Sequence, residues 1–426
     1  MGFLTHFQQQ TDKRLSWSET MLYASMLLMS VTLPISWRLG LFSMIIMMVA
    51  AVVNAVAKRR IVNKPVLSGV IVSYALMGMF WIIWFASAFW SSNQANAWHV
   101  VGVKLPFLLI PLVFVIGDTT FLTRRHIKML FMALCVTLMV RLIVMIFRAI
   151  IVVLQGGTLM FSGELQFDPL HHNYLALYLL TAIAFLYSEI VSPRSERLFR
   201  LPVWTYFAII VAFIAYIVVI ASRSGLVVLA LLGVACVAHA TICRRLWKTT
   251  GIVVAALVIA VVASYVVFPN LYYRIMCTIR NLVSGNSGND VRLLMDGCGL
   301  QVFHTSPWFG VGCGDVWQML QQVFVENGFE EGSVRDFDSH NQYLETLMAT
   351  GIVGMVLQVA MMVAPVVAAL KARRGRLIIC LLTIVFAGCI FFEATFGRQM
   401  GLLFIVWWMC VAVANLRIEQ IENSVI

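Results

Sequence analysis

The chain is a succession of apolar runs, each near the length that crosses a bilayer, from one end to the other. About twelve are predicted, at roughly 19–35, 38–57, 66–89, 97–116, 127–154, 171–190, 203–221, 225–242, 250–268, 342–370, 376–394 and 399–416. A helix rising about 1.5 Å per residue needs about 20 apolar residues to cross a hydrocarbon core about 30 Å thick. Inside lipid, a helix satisfies its own backbone hydrogen bonds. The expected fold is therefore an all-α polytopic membrane protein. A composition of 61% hydrophobic and 12% charged residues, with mean hydropathy +0.92, excludes an ordinary soluble domain. The first run is short and interrupted by Pro34. The polar segment before it reads as a cytoplasmic tail, because no small-residue cleavage site follows the run.

A net charge of +11 invites a nucleic-acid reading, but its distribution argues against one. Lys and Arg fall in short clusters between runs: Lys58-Arg59-Arg60, Arg124-Arg125 with Lys128, Arg194/Arg197/Arg200, Arg244-Arg245 with Lys248, and Lys371/Arg373/Arg374/Arg376. They alternate with loops poor in basic residues, as the positive-inside rule requires. The clusters set topology and contact anionic membrane lipid. Both termini are then cytoplasmic. Loops 90–96, 155–170 and 269–341 and the turns at Arg223 and Arg398 lie outside.

The chain reads as a single transmembrane domain, 1–426, with one soluble excursion, 269–341. A helix is expected from Arg292 to Phe303. Another follows Asp315, its proposed cap, with Val316, Met319, Leu320, Val323 and Phe324 on one stripe and Asn327-Gly328 as its stop. The excursion is thus a small helical lid between the ninth and tenth spans. Cys277, Cys298 and Cys313 lie in it; a disulfide between two of them fits an oxidising compartment, but the pairing is open. No spacing of Cys and His suggests a metal site, and no cofactor is expected.

The chemistry-bearing residues gather on the outer side. Ser339-His340-Asn341-Gln342 ends the lid and opens the next span. Ser339 and Gln342 fit a capping box, which puts His340 in the first helical turn. The helix dipole there disfavours imidazolium, so a neutral, proton-accepting His340 beside an anion site is expected. An interface histidine is about as often only a solvated polar group. Arg223 sits in the short turn Ser222-Arg223-Ser224-Gly225, Arg292 opens the first lid helix, and Arg398 lies in an outer turn. A guanidinium binds phosphate oxygens in a fork, although many such arginines merely snorkel. His171-His172 begins a span on the same side; at most one of the pair is expected to face a cavity. Lys104, Arg141, Glu189 and Glu393 are ionisable groups in or near spans, and Lys104 precedes Pro106 in a span broken by two prolines. Asp336-Phe337-Asp338 matches D-x-D, but nucleotide sugars are cytosolic and capping is the better reading.

These blocks together resemble a known family. His340-Asn341, nine residues, then Gly351-x-x-Gly354 is similar to the H-N-x9-G-x-x-G signature of the O-antigen ligase/polymerase superfamily. Val291-Arg292-Leu293 followed by Pro307-x-x-Gly310-x-Gly312-x-Gly314-Asp315 resembles its periplasmic-loop block, and Ser222-Arg223-Ser224-Gly225-Leu226 its Ser-Arg turn. The resemblance implies a GT-C-like, metal-independent, inverting glycosyltransferase in a Gram-negative inner membrane. Its donor would be a glycan on undecaprenyl pyrophosphate, and for a ligase its acceptor a sugar hydroxyl of lipid A-core. By the same resemblance Arg223 and Arg292 hold the pyrophosphate and His340 activates the acceptor. Asn341, His172, Lys104 and Arg398 are further candidate substrate contacts. The family often has an aromatic residue four places after the loop arginine; here that place is Asp296.

Two rivals remain. A polymerase of the same superfamily would share donor and chemistry but join two lipid-linked glycans. A transporter or flippase would instead use Lys104, Arg141, Glu189 and Glu393 as a polar path through the bilayer.

Overall fold

The computed structural model describes residues 15–59, 68–156, 170–220, 222–243, 291–370 and 375–424, with isolated positions between 251 and 280. Among the described residues the chain is all helical. The helices longer than one turn are α1 (Trp17–Thr32), α2 (Trp37–Ala57), α3 (Ser68–Ser87), α4 (Gln94–Val103), α5 (Pro106–Ile116), α6 (Arg124–Leu154), α7 (His172–Val191), α8 (Val203–Val219), α9 (Arg223–Ala238), α10 (Val291–Thr305), α11 (Val316–Glu326), α12 (Glu330–Val334), α13 (Gln342–Leu370), α14 (Arg376–Phe391) and α15 (Gln399–Ser424).

Among the described residues, eight stretches are long and apolar enough to cross a membrane: α2, α3 with the turn after it, α4 and α5 together, α6, α7, α9, α13 and α15. The apolar helices α8 and α14 are shorter. The run predicted at 19–35 is α1, a 16-residue helix that stops at Thr32, below spanning length. Ser16 and Glu19 form a reciprocal capping box at its start. The run predicted at 250–268 and the first part of the excursion, including Cys277, lie outside the described residues.

Burial separates the helices. The apolar windows of α7 and α15 are 94% and 89% buried, while the other spanning stretches are at most 44% buried. Helices apolar all round occupy the centre, and the rest ring them with lipid-facing sides. Stacked rings tie the centre together: Tyr178 on Phe404 at 3.9 Å and Phe131 on Trp408 at 4.3 Å. One end of the bundle holds the pairs Glu19–Lys58 at 2.7 Å and Lys128–Glu189 at 2.6 Å. Arg141 donates to the carbonyls of Pro34 and Ile35. Of the four groups a transporter would align, Glu189 and Arg141 are thus engaged with local partners away from the other two.

Two spans are broken. Pro106 cannot continue α4, so the chain restarts as α5 after Lys104 and Leu105. In α13 the break is at Gly351, with φ 64° and ψ −160°, a conformation essentially reserved for glycine. A Cβ there would overlap the backbone of Trp308 and Phe309. The lid turn at 307–312 fills the break with its own backbone. Val311 N–H donates to Met348 O (2.8 Å), Gly312 N–H to Ala349 O (3.2 Å), and Ile352 N–H to Pro307 O (2.9 Å). Irregular backbone at membrane depth survives only when another segment satisfies it. The glycine-rich lid turn and the two glycines after His340 are therefore one interlocked structure.

Helices α10 and α11 form where the sequence predicted them, with Val316, Leu320 and Phe324 buried beneath α11, and the short α12 was not foreseen. Asp315 does not cap α11. Its carboxylate accepts the backbone N–H groups of Ser92 at 2.6 Å and Asn93 at 2.7 Å, clamping the lid to the α3–α4 connection. Cys298 and Cys313 are free and buried, and Cys313 packs against the Trp84 and Ala97 carbonyls.

Candidate active site

Among the described residues, the Arg223 turn, the start of α7, the segment before α13 and the stretch after α14 meet around Glu393. It lies two residues past α14 and its side chain is 7% exposed. His340 Nδ1 is 3.5 Å from Glu393 Oε1 and 3.2 Å from Asp338 Oδ1. Asp338 Oδ1 also accepts the backbone N–H of His340 at 2.9 Å, which helps hold that residue at a left-handed φ of 42°. Phe337 flanks the imidazole edge-on at 6.1 Å.

This differs from the expected helix start. Asn341, not Ser339, caps α13, its Oδ1 accepting the N–H groups of Tyr343 (3.1 Å) and Leu344 (3.4 Å). Ser339 Oγ donates to Glu345 and to the Asn341 carbonyl, and Gln342 turns inward to accept the Phe396 N–H. His340 therefore precedes the helix, and its electrostatics reverse. The hydrogen bond to Glu393 pushes the imidazole above its ordinary pKa; burial opposes this, and that bond together with the charges of Asp338 and Glu393 outweighs burial and Arg292. Asp338 is the nearer acid, yet Glu393 has the larger influence because it is buried and Asp338 is 32% exposed. Glu393 is perturbed in the complementary sense. Burial alone would raise its carboxyl pKa, but hydrogen bonds from His340 and Asn173 bring it below the usual value.

From Glu393 the network runs outward. Asn173, the second residue of α7, donates Nδ2–H to Glu393 Oε2 at 2.7 Å. Its Oδ1 accepts Ser222 Oγ–H at 3.1 Å and Ser224 Oγ–H at 2.8 Å. Those serines flank Arg223, the exposed first residue of α9. Gly225 lets that turn approach α7, since a Cβ there would stand 2.6 Å from the Ala176 methyl. Beneath lies a small crevice lined by Asn173, Tyr174, Ser224, Gly225, Glu393 and Thr395.

Arg292 reaches the same centre from the lid. Its Nη2 donates to the Phe392 carbonyl at 2.8 Å and its guanidinium lies 5.3 Å over the Phe392 ring. It stands within electrostatic reach of His340, as Arg398 does of His171 and Arg223 of His172. The two histidine rings are 4.0 Å apart, so they form one unit rather than one in and one out. Asn341 also points Nδ2 at Asp296 (3.4 Å), so an acid rather than an aromatic ring follows Arg292 on α10. Lys104 lies under the site rather than at its mouth: it is 2% exposed, 3.5 Å from the Phe396 carbonyl and 3.8 Å from the Trp84 ring.

Asp338, His340 and Glu393 each offer one ligand atom, all within 4.8 Å, so this trio could also hold a cation. As drawn, the same atoms face one another, an arrangement suited to fixing an imidazole. A neutral imidazole giving its Nδ1 proton to the carboxylates has its Nε2 lone pair free to take a proton. Arg292 beside it, Arg223 by His172 and Arg398 by His171 supply positive charge. An imidazole held by two carboxylates and a group of arginines thus share one end of the bundle.

Residues 207–359 match the family model described as O-antigen ligase. The match covers just over a third of the chain and contains the Ser-Arg turn, the 291–315 block and the His340 signature, so that part of the chain is similar to the O-antigen ligase family. No curated protein matches the chain significantly.

Sequence reasoning weighed Glu393 as an intramembrane charge and Asp338 as a cap, and passed over Asn173 except as part of a polar cluster. The signal for Glu393 was its place: an acid directly after an apolar run, on the side where Arg398 and His340 also fall.

Proposed function

We propose that this chain transfers a glycan from undecaprenyl pyrophosphate to a sugar hydroxyl of lipid A-core, at the periplasmic face of a Gram-negative inner membrane. The observation that carries this is the meeting of His340, Glu393 and Asp338 with Arg292 and with the Arg223 turn. Outside the cytoplasm no nucleotide sugar is at hand, so the activated bond must arrive on a lipid. The acceptor oxygen attacks the anomeric carbon, forming the new glycosidic bond with inversion. The bond from that carbon to the pyrophosphate breaks, and the acceptor proton goes to His340 Nε2. Glu393 and Asp338 stabilise the imidazolium as it forms, a general-base contribution worth about 10²–10⁴-fold.

Arg223 and Arg292 would hold the pyrophosphate and offset the charge it gains on leaving. Each preorganised contact of this kind is worth about 2.7–4 kcal/mol. His172 and Arg398 border the same space and are proposed as donor contacts, while Asn341 orders the start of α13 beside the acceptor. Lys104 contributes from beneath, as the charge under the Phe396 turn. The lid at 269–341 would align both substrates over the spans.

The test is transfer by purified protein in detergent, given lipid-linked donor and core acceptor without any ion gradient. Product in the wild type and its loss in Arg223→Ala, Arg292→Ala and His340→Ala are expected. Wild-type-like transfer by His340→Ala would falsify the base assignment. Offering a second lipid-linked glycan in place of the core separates the polymerase: a ligase leaves it unextended.

A further inference from the structure

We propose that Asn173 is a positioning residue, an amide adapter that joins the Arg223 turn to the carboxylate fixing His340. The proposal rests on the reading of His340 as the base and Arg223 as a phosphate contact. Geometry and chemistry leave the amide one orientation. Glu393, ionised, can only accept, so the group 2.7 Å from its Oε2 must be the Nδ2 donor. Oδ1 then faces the two serine hydroxyls at 3.1 and 2.8 Å, which have protons to give. No shorter side chain reaches both sides, and neither carboxylate nor amine can accept on one side and donate on the other as an amide does. Ser222 is also the cap of α9, accepting the Gly225 N–H at 3.1 Å, so the amide grips a rigid turn rather than a loose loop.

The arrangement has a consequence for turnover. Glu393 has two oxygens, one for His340 and one for Asn173. With Oε2 anchored, Oε1 has a fixed direction and the imidazole a fixed partner. Movement of the Arg223 turn on phosphate binding would be passed through two hydrogen bonds and one amide to the base. Among the described residues, the charged and titratable groups around Glu393 and His340 are Asp338, His171, His172, Tyr174 and Arg292, with Arg398 beside His171 and Arg223 beside His172. None of them replaces the bridge.

Asn173→Asp keeps the shape and both serine bonds but turns the donor toward Glu393 into a second acid. Steady-state transfer in detergent is measured for wild type, Asn173→Asp, Asn173→Ala and Ser224→Ala. Expected for Asn173→Asp is a kcat about 10- to 100-fold lower, the size of one lost hydrogen bond to a charged group, with donor KM within about threefold. Its pH–rate midpoint should also move. Ser224→Ala, which loses one of the two serine bonds to the amide, should lower kcat in the same sense but less than Asn173→Asp does. A kcat within twofold of wild type for Asn173→Asp, or a loss confined to KM, overturns the proposal. So does an isosteric variant that fails to give a folded, monodisperse protein, since Asn173 would then be a packing residue. Failure of the wild type itself to transfer glycan would instead sink the functional reading beneath it.

Discussion

Replacing Glu393 by Gln removes a charge and one of its two acceptor oxygens while keeping its volume. The separation from His340 Nδ1 is 3.5 Å. Coulomb's law gives about 4.7 kcal/mol at an effective dielectric of about 20 and about 1.2 kcal/mol at the value for water. The imidazole is 32% exposed, so the lower figure applies. About 1.2 kcal/mol is just under one pH unit. The sign follows from the base role. In the wild type the imidazole pKa is raised, so His340 is charged and inactive below it, and the rate climbs as pH rises through that elevated value. In Glu393→Gln the midpoint should fall by about one unit toward the ordinary histidine value of about 6.5, with a plateau rate about tenfold lower because the nascent imidazolium lacks its buried partner. The assay is the pH–rate profile of glycan transfer in detergent from about pH 5 to about pH 9, corrected for any change in donor KM. An unmoved or raised midpoint refutes the reasoning.

Gly351→Ala should destabilise the protein by more than about 3 kcal/mol, because the φ/ψ is barred to alanine and the new methyl meets the Trp308 backbone; thermal unfolding in detergent measures it, and a shift under a few degrees counts against the interlock. Asp315→Asn leaves one of two charge-assisted hydrogen bonds weakened and one acceptor lost, at about 1.5–3 kcal/mol; amide exchange at Ser92 and Asn93 should accelerate while that at α7 stays slow. Arg292→Lys keeps charge but loses both the fork and the stacking on Phe392, so kcat/KM should drop about tenfold or more, and retention of full activity would show that only the charge matters.

Much of the fold was legible because lipid leaves few choices. Long apolar runs became helices close to their predicted bounds, and even the break before Pro106 was visible. What failed were judgements about single polar side chains near helix ends. Ser339 and Gln342 matched a capping box, yet Glu345 and the Phe396 N–H offered them tertiary partners, and Asn341 took the cap. Asp315 stood where a cap should, but two backbone donors from a distant loop bound it more strongly. His340 was given a dipole-lowered pKa because the dipole is local and readable, whereas Glu393 is 53 residues away along the chain and enters only when α14 packs. The arginines and the histidine were legible by type and side. The amide and carboxylate joining them were not, since nothing in their spacing marks them as partners.

Glu393 also bears on when the protein becomes competent during synthesis. The ribosome completes every recognisable motif by Gly354, and the family match ends at 359. The carboxylate that steadies the imidazole, and the Phe396 amide that Gln342 receives, are still unmade at that point. A nascent or prematurely terminated polypeptide ending between α13 and α14 would carry the whole signature and remain inert. Quality control is thus written into chain order: only a polypeptide translated past residue 396 has both His340 and the carboxylate that holds it.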